Sequence, residues 1–271
     1  VLIVKMVTTS ELRDIFEKRM ASTQNSKELF HPKDLERVKD DIFLQRVLDH
    51  EENNLKDAAE TLWGLLKWRK EIGANDIDES NLKMEYVNEG IIFPHGRDIN
   101  GCLLLIFKFK MHLKGKRNYA ELKKVIVYWL DRIEREEKGK MISMVFDMDG
   151  AGLSNMDMDL VKDFIGLFNY CYPSFLNYII IFNMPWIMNA AFKVVKTLLP
   201  AKAIERLKFV NNKTLRDVIP KEHALKCWGG LDDYEFKFIP EKSQILNCKS
   251  EHFLAGTSQQ HVVLQFYLHE T

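Results

Sequence analysis

The chain has 271 residues, 39 basic and 39 acidic side chains, and 46% hydrophobic residues, enough to bury a sizeable core in one α/β domain with a smaller appended part. Its formal net charge of zero excludes bulk attraction to nucleic acid or to an anionic membrane, so any such attraction must be local. No apolar run approaches the roughly 20 residues of a membrane span, and Val1-Leu2-Ile3-Val4 ends at Lys5, too short for a signal-peptide core, with Met6 a candidate native first residue.

The first 75 residues read as helices. Ser10 is placed to cap a helix running to about Met20, and Thr23 to Ser26 ends it. Pro32 starts a short helix, and Asp40 to Asp49 gives another with Phe43, Val47 and Leu48 inward. Asn54 caps an amphipathic helix whose face carries Leu55, Ala58, Ala59, Leu62, Leu65, Leu66 and Ile72. Residues 73–81 read as a polar linker.

Strands begin at Ile91-Ile92-Phe93. Asp98-Ile99-Asn100-Gly101 is a turn signal, and Leu103 to Phe109 is a second strand. Asn118 caps a helix with Leu122, Val125, Ile126, Trp129 and Ile133 on one face, closed by Gly139. Met141 to Phe146 is a buried strand, and Ser154-x-x-Asp157 has the form of a capping box for a helix to Cys171. Tyr178 to Phe182 is a strand, Trp186 to Leu199 a helix, Ala201 to Arg206 a short helix, and Leu207 to Val210 a strand. Residues 241–271 are weakly organised, with one strand-like run at His261 to Leu268.

A helical front followed by alternating strands and helices predicts an α/β fold. An amino-terminal helical cap (1–75) precedes a domain (76–240) with a mostly parallel, mixed sheet flanked by helices. The cysteines, Cys102, Cys171, Cys227 and Cys248, have no metal-ligand or redox spacing, so reduced thiols in a cytosolic setting are expected. The histidines form no ligand pair, and His95 and His223 read as loop or core residues. No metal and no cofactor are called for.

Two segments carry candidate chemistry. Met144 to Gly150 is an apolar strand ending in Asp147-Met148-Asp149-Gly150. It resembles the first motif of haloacid-dehalogenase-type phosphatases, where the first Asp attacks phosphorus and both help to hold magnesium. Ala151 stands where that family has Thr, and Asp232-Asp233 lacks a preceding buried strand. The plain alternative is a strand-end turn whose carboxylates bond local amides.

The second segment is Trp186 to Leu199, in which 10 of 14 residues are apolar and the polar ones fall in one narrow stripe. A surface helix shows the reverse pattern, so this one is either buried on most sides or faces something apolar that is not protein. From Pro185 to Lys213 there are six cations and one acid, Glu205. An apolar helix edged by cations suits a lipid, with acyl chains on the apolar face and phosphate oxygens at the cations. A packed crossover helix with solvated lysines is the alternative.

The joint pattern resembles the CRAL-TRIO lipid-binding family over roughly Phe43 to Gly230. The matching residues are Trp68-Arg69, the turn from Asp147 to Gly150, Tyr172-Pro173, Asn183-Met184-Pro185 and Gly229-Gly230. The run from Met184 to Thr197 is similar to relatives in which a major-sperm-protein domain and an endoplasmic-reticulum anchor follow. The chain would then be a fragment, a truncated isoform or a stand-alone relative, cytoplasmic and peripheral at membranes, reaching the endoplasmic reticulum only where such an anchor is attached.

The resemblance implies a non-enzymatic domain with a hydrophobic pocket over the sheet, closed by a mobile gate helix at Trp186 to Leu199. Its pocket and gate residues would be Phe107, Phe109, Phe146, Phe182, Met184, Met188, Phe192, Val195 and Leu199. Arg206 and Lys208 would meet the headgroup. Trp186, Ile187, Lys193 and Lys196 would touch the membrane, Trp favouring the interface. Phosphoinositide-transferring members hold the inositol phosphate with a Thr and a Lys; Ala203 and Arg206 occupy those positions. Phosphatidylinositol, another phospholipid and a neutral lipid all remain open as the ligand. The partners are thus a lipid and a peripheral membrane surface, not nucleic acid. Three functions follow: lipid binding and transfer, a protein-interaction domain with a collapsed pocket, or a magnesium-dependent phosphatase using Asp147 and Asp149.

Overall fold

The computed structural model describes residues 7–241. Residues up to Phe236 form one compact unit, and a second begins at Lys237, of which residues 237–241 are described. Cys248 and the strand-like run at His261 to Leu268 lie outside the described residues.

The front is helical: α1 (Thr9–Ser22), α2 (Pro32–Arg37), α3 (Asp41–His50) and α4 (Leu55–Glu71). The start of α1 corrects the expected cap. Thr8, not Ser10, accepts the Glu11 N–H, while the Glu11 carboxylate accepts from the Thr8 N–H, a reciprocal box two residues earlier. Asn54 caps α4 as read, accepting from the Lys56 and Asp57 amides. Ala58, Leu62, Leu65 and Leu66 are the buried face of α4.

After α5 (Met84–Asn88), β1 (Ile92–Arg97) and β2 (Leu103–Lys108) form a hairpin. Asp98 builds its turn, accepting from the Asn100 and Cys102 amides, and Gly101 supplies the required positive φ of 78°. Then come α6 (Tyr119–Glu136), β3 (Ile142–Asp147), α7 (Met158–Gly166), β4 (Leu176–Phe182), α8 (Asn189–Leu198), α9 (Ala201–Glu205) and β5 (Leu207–Val210). Asp157 rather than Ser154 caps α7, its Oδ1 accepting from the Asp159 and Leu160 amides. From Leu167 to Cys171 the helix widens into a π turn. The segment read as one helix from Trp186 starts as a 3-10 turn at Trp186–Met188, and Pro185 lies just outside it with extended backbone.

The sheet order is β1-β2-β3-β4-β5, with β1 antiparallel to β2 and the other pairs parallel. Register sorts the side chains into two faces. Ile106, Val145 and Ile180 pair across one face, Phe107, Phe146 and Ile181 across the other. The Ile106 face is filled: Val145, Ile180 and Phe182 pack on Leu215, Ile219, Leu225 and Trp228 from the chain after β5. Gly230 closes that packing. A Cβ there would stand 1.8 Å from the Ala224 carbonyl oxygen, so only glycine fits.

Buried charge ties the helical front to the α/β part. The Arg69 guanidinium donates to Asp34 at 2.7 Å and to both Asp131 oxygens at 2.9 Å, and the Tyr172 hydroxyl donates to Asp131 at 2.7 Å. The Trp-Arg and Tyr-Pro motifs thus meet at one carboxylate. Beside them, Arg46 and Arg37 hold Glu134 at 2.6 and 2.8 Å, and Arg46 also donates to the Pro173 carbonyl. Burial alone would raise the Glu134 carboxyl, but Arg37 and Arg46 override it and hold its pKa at about 2.

Candidate functional site

The other face of the sheet is not filled. Met144 and Phe146 of β3, Ile179 and Ile181 of β4, and Leu207 of β5 floor a cavity of about 390 Å³. Its walls are α7 (Leu160, Val161, Phe164), the π turn (Phe168), and α8 with its exit (Phe192, Val195, Leu199). The volume lies within the usual range of small-molecule sites, about 300–1,000 Å³. The floor is apolar because a parallel strand covered on both faces has no reason to carry polar side chains.

The cavity lining also includes polar residues: Asp49, His50 and Glu51 at the carboxyl end of α3, and Lys202 and Arg206 on and beside α9. The His50 ring bridges two elements: Nδ1 accepts from the Ser174 N–H at 3.2 Å, and Nε2 lies 2.8 Å from the Asn169 carbonyl, which makes Nε2 the protonated nitrogen. Lys202 donates to the His50 carbonyl at 3.2 Å and pairs with Glu52 at 2.9 Å. Arg206 donates to the Leu176 carbonyl. Position 203 in this wall is alanine, with no hydroxyl to offer.

The α8 segment has an unusual outer side. Val195 is the buried residue of α8, while Val194 is 54% and Leu198 41% exposed. Ahead of the helix, Trp186 is 82% and Ile187 44% exposed, and Lys193 and Lys196 are exposed beside them. The apolar excess is therefore not absorbed by protein: one side of α8 walls the cavity and the other carries apolar side chains into solvent. Phe192 meets the half-exposed Phe209 of β5 edge-on, 4.9 Å between rings.

Of the residues expected at the pocket, Phe109, Phe146, Phe192, Val195, Leu199 and Arg206 line the cavity. Phe107 lies on the same sheet face but is sealed beneath, its ring edge-on to Phe109, Phe146 and Phe164 at 5.9, 6.1 and 5.5 Å. Phe182 is a correction. It sits an odd number of residues from Ile179 and Ile181, so it faces the filled side and packs on Trp228 at 5.5 Å. Lys208 is corrected for the same reason: it pairs with Ile180, and its ammonium lies 5.1 Å from the Tyr178 ring. Met188 is fully buried and Met184 partly so, both outside the cavity wall. The expectation missed Leu160, Phe164 and Phe168, whose spacing of four was a visible helical stripe, and it missed the α3 end altogether.

The acidic turn after β3 is hydrogen-bonded to the structure around it. Asp147 accepts from the Trp228 indole at 3.0 Å and from the Asp149 amide at 3.2 Å. Burial, the largest influence, raises its pKa above the ordinary range against those donors. Asp149 accepts from Asn183, which holds a positive φ of 48° at the exit of β4. Asp232 is bonded to His95 at 2.7 Å rather than facing this turn's bonds. Among the described residues no group of three or more His, Cys, Asp or Glu side chains is arranged to hold a metal ion, and no helix is long and apolar enough to cross a membrane.

Comparison with known proteins adds to this geometry. A family model described as the CRAL/TRIO domain matches residues 87–230. A CRAL-TRIO domain-containing protein of Schizosaccharomyces pombe, C3H8.02, is 23% identical over 215 residues, covering 75% of this chain and 48% of that protein. The phosphatidylinositol transfer protein CSR1 of Eremothecium gossypii is 26% identical over 169 residues, 61% of this chain and 38% of that one. The chain spans less than half the length of these relatives. The crystal structure of Sfh5 shares the fold at a TM-score of 0.63 and 14% identity, covering 91% of this chain and 94% of that one.

Proposed function

This chain belongs to the CRAL/TRIO domain family, and we propose that it binds a lipid in the cavity over the β3–β5 face and transfers it at membrane surfaces. The carrying observation is the apolar cavity walled by a helix whose far side is also apolar and exposed. A lipid tail gains about 0.8 kcal/mol per buried CH₂, so an enclosed tail binds strongly with no hydrogen bond to the wall. The name of CSR1, a phosphatidylinositol transfer protein, supports the same reading.

In this reading α8 is the gate. Phe109, Phe146, Phe192, Val195 and Leu199 face the acyl chains, and Arg206 meets the headgroup. Trp186, Ile187, Lys193 and Lys196 touch the bilayer, where an indole favours the interface and lysines favour anionic lipid. The helical region of residues 1–75 and the lipid-binding domain of residues 76–240 act together, since α3 supplies part of the cavity wall. The non-catalytic reading rests on Asp147 and Asp149 being engaged by Trp228, a backbone amide and Asn183.

Native mass spectrometry and lipid extraction of the purified protein test this. A stoichiometric co-purifying lipid, exchanged on mixing with vesicles, is expected. A protein that carries none and takes up none from vesicles overturns it.

A further inference from the structure

The wall of the cavity changes character at Leu199-Pro200. Among the described residues, α8 makes no side-chain hydrogen bond or ion pair to another element. The short helix α9, directly after it, is tied at both ends. At its carboxyl end, the Arg206 guanidinium donates to the Leu176 carbonyl at the start of β4. At its amino end, the Lys202 ammonium donates to the His50 carbonyl at 3.2 Å and pairs with the Glu52 carboxylate at 2.9 Å. Between the two helices, Leu199 and Pro200 are both extended, with ψ of 136° and 156°. Proline has no N–H to continue α8, and it disfavours helical backbone in the residue before it.

The receiving side suits that lysine. His50 is the last residue of α3, so its carbonyl is one that the helix leaves open, and a cation is favoured at that end of the helix dipole. Glu52 follows with a positive φ of 54°, and Asn53 with one of 62°. Asparagine tolerates that conformation, whereas a glutamate is strained in it and a glycine would not be. Held there, Glu52 places its carboxylate on Lys202, which keeps that carboxyl below its ordinary range. Both sides of the tie are cavity wall: His50 and Glu51 from α3, Lys202 and Ala203 from α9.

We propose that Leu199-Pro200 is the hinge of the gate, and that Lys202 is the positioning residue that sets how long a lipid stays enclosed, by holding α9 to the end of α3 through the His50 carbonyl and Glu52. This rests on the lipid-binding reading and assigns the fixed end of its gate. With the tie made, α9 stays on the helical front and α8 alone swings. With it broken, α9 follows α8 and the cavity opens along α3 as well. The Lys202 and Glu52 side chains are 49% and 74% exposed, so dissolved ions screen the pair.

The test is release of a pyrene-labelled lipid from the loaded full chain into excess unlabelled phosphatidylcholine vesicles. Phosphatidylcholine, phosphatidylinositol and diacylglycerol are loaded in separate runs. Lys202→Met should speed release by about fivefold, the upper end for an exposed pair, and Lys202→Arg should keep the parent rate. Glu52→Gly separates the tie from stability. It relieves the left-handed strain, so the thermal midpoint should not fall, while release should quicken as in Lys202→Met. High salt should quicken release from the parent chain and leave Lys202→Met and Glu52→Gly unchanged. Release at the parent rate in both variants, or quickening confined to a variant that also loses thermal stability, overturns the tie and leaves the lipid-binding reading standing. A parent chain that loads none of the three lipids overturns the lipid-binding reading, and this inference with it.

Discussion

Arg69 and Phe192 hold their elements in opposite ways. Arg69 is 2% exposed and locked between Asp34 and Asp131, with Tyr172 on the same carboxylate. Phe192 is half-buried on a helix that has no such tie: among the described residues, no side chain from Trp186 to Leu199 forms a hydrogen bond or ion pair with another element. A buried charge cluster tolerates no intermediate position, because any slip strands a charge away from water. An apolar contact weakens gradually, and α8 already has its outer apolar side chains in solvent. The lesson is that the protein concentrates its directional bonds where the helical front meets the α/β part, and leaves the α8 wall of the cavity to non-directional contact.

The largest test of that contrast is Arg69→Met. It strands Asp34 and Asp131 in the interior, and the expected loss is roughly 3–5 kcal/mol of unfolding free energy by denaturant titration. A loss below about 1 kcal/mol would show that the cluster does not clamp the front. Acid should act on the neighbouring cluster. The Glu134 carboxyl is held at about 2 against 4.5 unpaired, so its contribution is complete above pH 4.5 and lost as pH falls toward 2. Integrated over that window it amounts to about 3 kcal/mol. A Glu134→Gln variant should lose stability at neutral pH and show a flatter decline across the same window.

Most of the fold was legible, and the reasons for the gaps are specific. Caps and apolar periodicity located the helices and strands because both are local. The order and faces of the sheet needed register. Ile179-Ile180-Ile181-Phe182 is apolar on both sides, so the sequence does not say which parity meets the cavity; Phe182 and Lys208 were therefore assigned to the wrong face. Arg69 stood in a visible motif, but its partners are 35 and 62 residues away along the chain, beyond any spacing rule. Asp49 and Glu51 stand at the end of α3 with no motif around them. Only the fold brings them to a cavity wall made by residues more than a hundred positions later.

The smaller effects fall on α8, where stability and function should separate. Phe192→Ala removes a half-buried ring beside a space that is already open, so it adds little new cavity; the expected loss is about 1 kcal/mol. The same change thins the wall between acyl chain and solvent and removes the contact with Phe209. Retention of a labelled lipid should shorten by several-fold, read as release into excess unlabelled vesicles. If Phe192→Ala instead destabilises the chain as much as Arg69→Met, α8 is a structural helix and not a movable one. Trp186→Ala is the finest probe. The indole is 82% exposed, so its removal should change stability by less than about 0.5 kcal/mol. Its only physical leverage is on a surface outside the protein. Co-sedimentation with vesicles should therefore weaken while retention of an already enclosed lipid in vesicle-free buffer stays the same. A variant that binds vesicles as well as the parent would move the membrane contact away from the start of α8.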